Sequence, residues 1–204
     1  MQTCAATLVG PRHILTSSHC AIWGNLADNS APISAMTFQP DFYDRDVFPS
    51  AQVIQFLWFN KVRFGAPAPN NVYYGGDLLV GVLDRRVGDT NGFLGTVLWN
   101  DAWLNQEIWN LIGYPNNMGN GNRPIFRGPC AVTQVFNVPI GLSMYMEAIT
   151  SYGDSGGPVY SYFGTQPMIV GVHSSGSVNP PNIALVHSGT QLVQLVTTAL
   201  LTYP

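Results

Sequence analysis

Tyr152-Gly153-Asp154-Ser155-Gly156-Gly157-Pro158-Val159 is the stretch whose reading decides the fold. Three glycines around one serine allow a tight turn with partly positive φ, which other residues avoid. Such a turn exposes the serine hydroxyl and aims the backbone N–H groups of Gly153 and Ser155 at one point. That point is where an oxyanion forms in acyl transfer. A Gly-Ser-Gly triplet alone also fits a plain β-turn. The upstream Gly153 and the following Pro158-Val159, which opens a strand, favour a nucleophile turn.

On either side of this turn the chain reads as short strands. Ala5–Val9 and His13–Thr16 are strand-like and separated by a Gly10-Pro11 turn. Ser17 or Ser18 is placed to cap a short helical turn around His19. Residues 24–50 are rich in Asn, Asp, Pro and Ser and read as loop, as do residues 64–71. Ala51–Phe56 alternates as a half-buried strand does, and Asp77–Leu83 is an apolar strand opened by an acid. Ile108–Pro115, Ala131–Phe136 and Ile169–Val172 continue the pattern. Leu192, Val193, Leu195, Val196, Leu200 and Leu201 recur at helical spacing, predicting a helix over 190–202 with one buried face.

Composition narrows the function classes. The 204 residues suffice for one large β domain or two small ones. Charged residues are only 9%, the net charge is −3, and no Lys/Arg cluster is available to neutralise phosphates. Nucleic acid is therefore not an expected partner. No apolar run approaches the roughly 20 residues that span a bilayer, and no signal peptide is visible. Cys4, Cys20 and Cys130 permit one disulfide and a spare thiol, or none. No Cys/His cluster has zinc-ligand spacing, so no metal and no cofactor are expected.

The octapeptide resembles the nucleophile loop of chymotrypsin-like serine peptidases, a resemblance that requires two partners upstream. Leu15-Thr16-Ser17-Ser18-His19-Cys20 is similar to that family's Thr-Ala-Ala-His-Cys segment. Asp77-Leu78-Leu79-Val80 is similar to its Asp-x-Ala-Leu segment, whereas Asp41, Asp44 and Asp46 lie in a polar loop without such a strand. The order His19, Asp77, Ser155 is the chymotrypsin order, not that of the α/β-hydrolases. The resemblance implies an all-β, double six-stranded antiparallel β-barrel with a C-terminal helix. It implies Ser155 as nucleophile, His19 as base, Asp77 as the orienting acid and Gly153 with Ser155 as oxyanion hole. It also implies a Cys4–Cys20 disulfide beside the histidine.

The same resemblance places residues 1–86 in the first barrel, 87–105 in a linker and 106–204 in the second barrel. The first barrel is expected to be N-terminally truncated, because Cys4 lies so near the start. Within the family the glutamyl endopeptidase branch matches best. Its run into the nucleophile resembles Ser143–Ser151, and its pocket wall resembles Gly171-Val172-His173-Ser174. Its linker resembles Gly88–Gly95, and its opening of the second barrel resembles Ile112-Gly113-Tyr114-Pro115. Thr150, His173 and Ser174 are then expected to bind substrate, and Glu or Asp is expected before the scissile bond. Ile149, at the pocket base, cannot supply the charge that basic substrates need. Arg123 and Arg127 are candidate partners for Asp154, and His13 and His187 are expected to be structural.

The expected protein is a secreted, monomeric endopeptidase acting on proteins or peptides. The alternatives are an esterase with the same triad, a non-catalytic homologue serving as a binding module, and a fragment of an active peptidase.

Overall fold

The computed structural model describes residues 3–63, 75–176 and 182–204. The loop expected at 64–71 lies outside them. Two curled, mainly antiparallel sheets organise the described residues. β1 (Thr7–Gly10) and β2 (His13–Thr16) turn at Pro11, whose fixed φ suits a tight connection. β3 (Thr37–Phe38), β4 (Ala51–Trp58) and β5 (Leu79–Leu83) complete an open five-stranded sheet of order β1-β2-β5-β4-β3. β2 and β5 are central and buried on both faces; β5 accordingly reads as a continuous apolar run, whereas β2 buries His13 and Thr16 beside Ile14 and Leu15. In β4, Ala51 and Val53 face the core while Gln52 and Ile54 face solvent.

The second sheet comprises β6 (Gly95–Thr96), β7 (Glu107–Gly113), β8 (Ile125–Asn137), β9 (Leu142–Glu147), β10 (Pro158–Phe163), β11 (Gln166–Gly176) and β12 (Ile183–Ser188). Six of these strands close into a barrel through the β10–β11 pairing. β6 adds to the outside of that ring, parallel to β11 at Met168↔Gly95. As expected, the first sheet is a curled half-barrel, with five strands among the described residues. Residues 87–105, expected as a linker, contain a strand and two helical turns.

Trp109, Leu111, Val132, Met144, Met146 and Val186 fill the closed barrel. Ile14, Ala51, Val53 and Leu83 form the core of the open sheet. A third cluster lies between the sheets, where the C-terminal helix (Thr190–Thr202) buries Leu192, Leu195, Val196 and Ala199 against Val9, Leu15, Val80 and Ile169. Each buried leucine there contributes about 1.5–3 kcal/mol. Ala199 takes a place in the stripe, whereas Leu201 is exposed.

Candidate active site

The site lies at the seam between the sheets, and its first part is the turn after β2. Ser17 is extended and Ser18–Cys20 form a 3-10 turn. Ser17 occupies the cap position, but its hydroxyl crosses the seam and donates to the His173 carbonyl at 2.8 Å. A Cys4–Cys20 disulfide ties the turn to the chain before β1. Cys4, His19 and Cys20 present ligand-type atoms within 4.8 Å of one another, but both sulfurs are oxidised, so the trio cannot serve as a thiolate metal site.

Asp77 is fully buried at the entry to β5. Its Oδ1 accepts the His19 main-chain N–H at 2.9 Å, and its Oδ2 pairs with His19 Nδ1 at 2.6 Å. Oδ2 also accepts the Ser174 hydroxyl at 2.5 Å. Burial alone would raise the Asp77 pKa. The charge and hydrogen bond of His19, the charge of His187 and the Ser174 hydroxyl outweigh it, holding the carboxyl well below the usual range. A carboxylate facing Nδ1 places the proton there and leaves Nε2 as the basic nitrogen.

Gly153 has φ of 99°, and a Cβ at that position would lie 2.0 Å from the Tyr114 carbonyl. Gly156 has φ of 84° and is pressed against Thr16 and the Ala5 carbonyl. The turn thus needs glycine at both positions for conformation and for space. Among the described residues the N–H groups of Gly153 and Ser155 have no hydrogen-bond partner. Ser155 Oγ donates to the Ser174 carbonyl at 3.2 Å. The Ala5 N–H joins this turn to the His19 side by donating to Ser155 O, and Gly156 N donates to the His173 carbonyl that also accepts from Ser17, each at 2.8 Å.

Beneath the turn, Asp154 is fully buried and pairs with Arg127 through two bonds of 3.1 and 3.0 Å. Ser151 N adds a third at 2.9 Å. Burial raises the Asp154 pKa; the Ser151 N–H and the Arg127 charge oppose that rise. Arg123 instead pairs with exposed Asp44.

Thr150 and His173 are both buried. Thr150 Oγ1 and both His173 ring nitrogens have no partner of good geometry among the described residues. Burial, reinforced by the charges of His19 and Arg127, pushes His173 down to about 3, with the main chain of Asp154 and Ser175 opposing. His173 is therefore a neutral imidazole at ordinary pH. Half-exposed Ile149 lines a cavity of about 360 Å³ with Glu147, Ala148 and Ile183; Thr150 and His173 do not line it. His187 meets Ser143 Oγ at 3.3 Å, and His13 packs beneath the end of the C-terminal helix.

No family model and no curated protein sequence matches the chain. Solved structures do. A Glu endopeptidase in complex with MPD is 23% identical with a TM-score of 0.69, covering 96% of this chain and 84% of that one. The thermostable serine protease AL20, from an extremophilic microorganism, is 18% identical with a TM-score of 0.72, covering 98% and 91%. The protease Anisep from Arthrobacter nicotinovorans is 16% identical with a TM-score of 0.69, covering 96% and 88%. The fold is that of the chymotrypsin-like serine proteases.

Within this chymotrypsin-like fold the structure links His19, Asp77 and Ser174 by direct bonds and brings in Ser155 through the Ser174 carbonyl. Ser174, expected to contact substrate, directs its hydroxyl to Asp77 instead. The sequence reading missed two supports of the histidine turn. Trp23 Nε1 donates to Ser18 O at 2.9 Å, and Val62 N donates to Ser18 Oγ at 3.0 Å. Nothing in their sequence neighbourhood distinguishes Trp23 or Val62 from core residues.

Proposed function

We propose that this chain is a serine endopeptidase that prefers Glu or Asp before the scissile bond. The observation that carries the reading is one connected path, His19–Asp77–Ser174–Ser155, beside two unoccupied N–H donors. Ser155 Oγ leaves the Ser174 carbonyl and attacks the substrate carbonyl. His19 Nε2 takes its proton, and Asp77 stabilises the imidazolium. The N–H groups of Gly153 and Ser155 receive the oxyanion. His19 then protonates the departing amine, and water hydrolyses the acyl-enzyme by the reverse proton path.

The acidic preference is supported by Thr150 Oγ1 and the His173 ring, buried and without a partner of good geometry among the described residues. Leaving such a group unpaired costs about 1–3 kcal/mol, and a substrate carboxylate accepting bonds from a hydroxyl and an imidazole N–H removes that cost. The likeness to a Glu endopeptidase structure agrees with it. The disulfide suits an oxidising compartment, so we place the protein outside the cell.

A fluorophosphonate probe is expected to label Ser155, and Ser155→Ala to abolish both labelling and hydrolysis. Peptides differing only before the scissile bond (Glu, Asp, Arg, Phe, Ala) test the specificity. A Phe or Ala preference would refute the roles of Thr150 and His173.

A further inference from the structure

Lys61 follows β4 and is nine-tenths buried, an unusual place for an ammonium group. Its Nζ lies 5.0 Å from the Trp23 ring centroid and 5.6 Å from that of Trp58. Three oxygens of one loop close over it: Asn25 O at 3.0 Å, Asp28 Oδ1 at 3.1 Å and Ser30 Oγ at 3.4 Å. Bonds from the Ser30 hydroxyl and main chain, then from Lys61, bring the Asp28 pKa down to about 2, so its charge persists across the working pH range. The ammonium is thus met by three oxygens and two aromatic rings within cation–π range.

What this cage holds adjoins the histidine. Trp23, stacked on the ammonium, donates to Ser18 O, and Val62, the next residue along the chain, donates to Ser18 Oγ. Ser18 precedes His19, so the neighbours of Lys61 hold the acid–base turn at both the carbonyl and the hydroxyl of Ser18.

We propose that Lys61 is a positioning residue for His19, the built-in cation around which Trp23, Trp58 and residues 25–30 close. This rests on the peptidase reading, because it assigns Lys61 to the general base of that reaction. Its charge matters through the geometry of the His19–Asp77 pair, and Lys61 does not touch substrate.

Three variants test this: Lys61→Met, which keeps the stem; Lys61→Arg, which keeps the charge; and Asp28→Asn, which changes only an exposed loop partner. Active sites are counted with a fluorophosphonate, so that turnover is expressed per competent site. The low-field proton resonance of His19 Nδ1–H is recorded in parallel. Lys61→Met is expected to lower kcat per titrated site at least 10-fold with KM changed less than threefold, and to broaden or abolish the resonance. Lys61→Arg is expected to keep the resonance and recover most of kcat. Asp28→Asn is expected to lower kcat two- to fivefold and broaden the resonance, which decides the matter if Lys61→Met does not fold. Wild-type kcat and an unchanged resonance in Lys61→Met, or in Asp28→Asn where Lys61→Met is unfolded, would overturn the proposal. If the wild-type protein neither takes the probe nor turns over, the peptidase reading fails, and the resonance alone still decides what Lys61 holds.

Discussion

Replacing Arg127 by Met tests how the nucleophile turn is supported. The substitution keeps the apolar stem and removes both bonds to Asp154, leaving that carboxylate fully buried with only the Ser151 N–H. Breaking a buried pair on one side costs about 3–5 kcal/mol, and this is the deficit expected at pH 8. The deficit must depend on pH. Burial already raises the Asp154 pKa with Arg127 in place, and without that charge it rises further. Between the wild-type and variant folded pKa values the variant binds a proton that the wild type does not. There the deficit shrinks by about 1.4 kcal/mol for each pH unit of acidification. Urea unfolding followed by the fluorescence of the five tryptophans measures it at pH 5 and pH 8. Taking variant minus wild type at each pH cancels every other titrating group. Adding Asp154→Asn to Arg127→Met removes the stranded charge and is expected to recover more than 1 kcal/mol at pH 8. A deficit below about 1 kcal/mol, or one independent of pH, would show that the pair does not hold the turn.

Three further outcomes follow from the same contacts. Asp77→Asn leaves the shape of the site but reverses the His19 tautomer, and is expected to lower kcat about 10⁴-fold with little change in KM, by steady-state kinetics on a peptide ester. Burial lowers the pKa of His13, His173 and His187, His173 to about 3, so below the ordinary value of 6.5 the unfolded chain binds protons the native state refuses. Stability therefore falls with acidification by up to about 1.4 kcal/mol per pH unit for each such histidine, and the urea midpoint should drop steeply from pH 7 to pH 5. Reducing Cys4–Cys20, which spans 16 residues, should cost about 3 kcal/mol in thermal or urea unfolding.

How much of this was legible in the chain depended on the kind of atom involved. The β strands were readable because Leu79–Leu83 and Ala51–Trp58 declare burial on two faces or on one by residue type. The C-terminal helix was readable by its apolar spacing, but Ala199, not Leu201, packs, because hydropathy reports what a side chain tolerates and not which neighbour it meets. β6 escaped notice, since two residues carry no period. The Asp154 partner was reduced to two arginines, and only the three-dimensional path of β8 selects Arg127.

The site itself divides in the same way. His19, Asp77, Ser155 and the glycines are side-chain choices, and each stands in a recognisable local context. What brings them together is largely main chain. One carbonyl, that of His173, accepts from Ser17 on the histidine side and from Gly156 on the nucleophile side. Another, that of Ser174, receives the Ser155 hydroxyl while the Ser174 side chain holds Asp77. A carbonyl oxygen is the same whatever residue bears it, so no reading of residue types reveals these two junctions. Both carbonyls lie on β11, where its register with β10 ends at Val172 and its register with β12 shifts between His173 and Ser175. The two junctions thus sit at an irregularity of the ladder, and their carbonyls accept from Ser17, Gly156 and Ser155. On the proposed reading, substituting the side chain of His173 should therefore alter the Glu or Asp preference in peptide assays far more than how the two turns are joined.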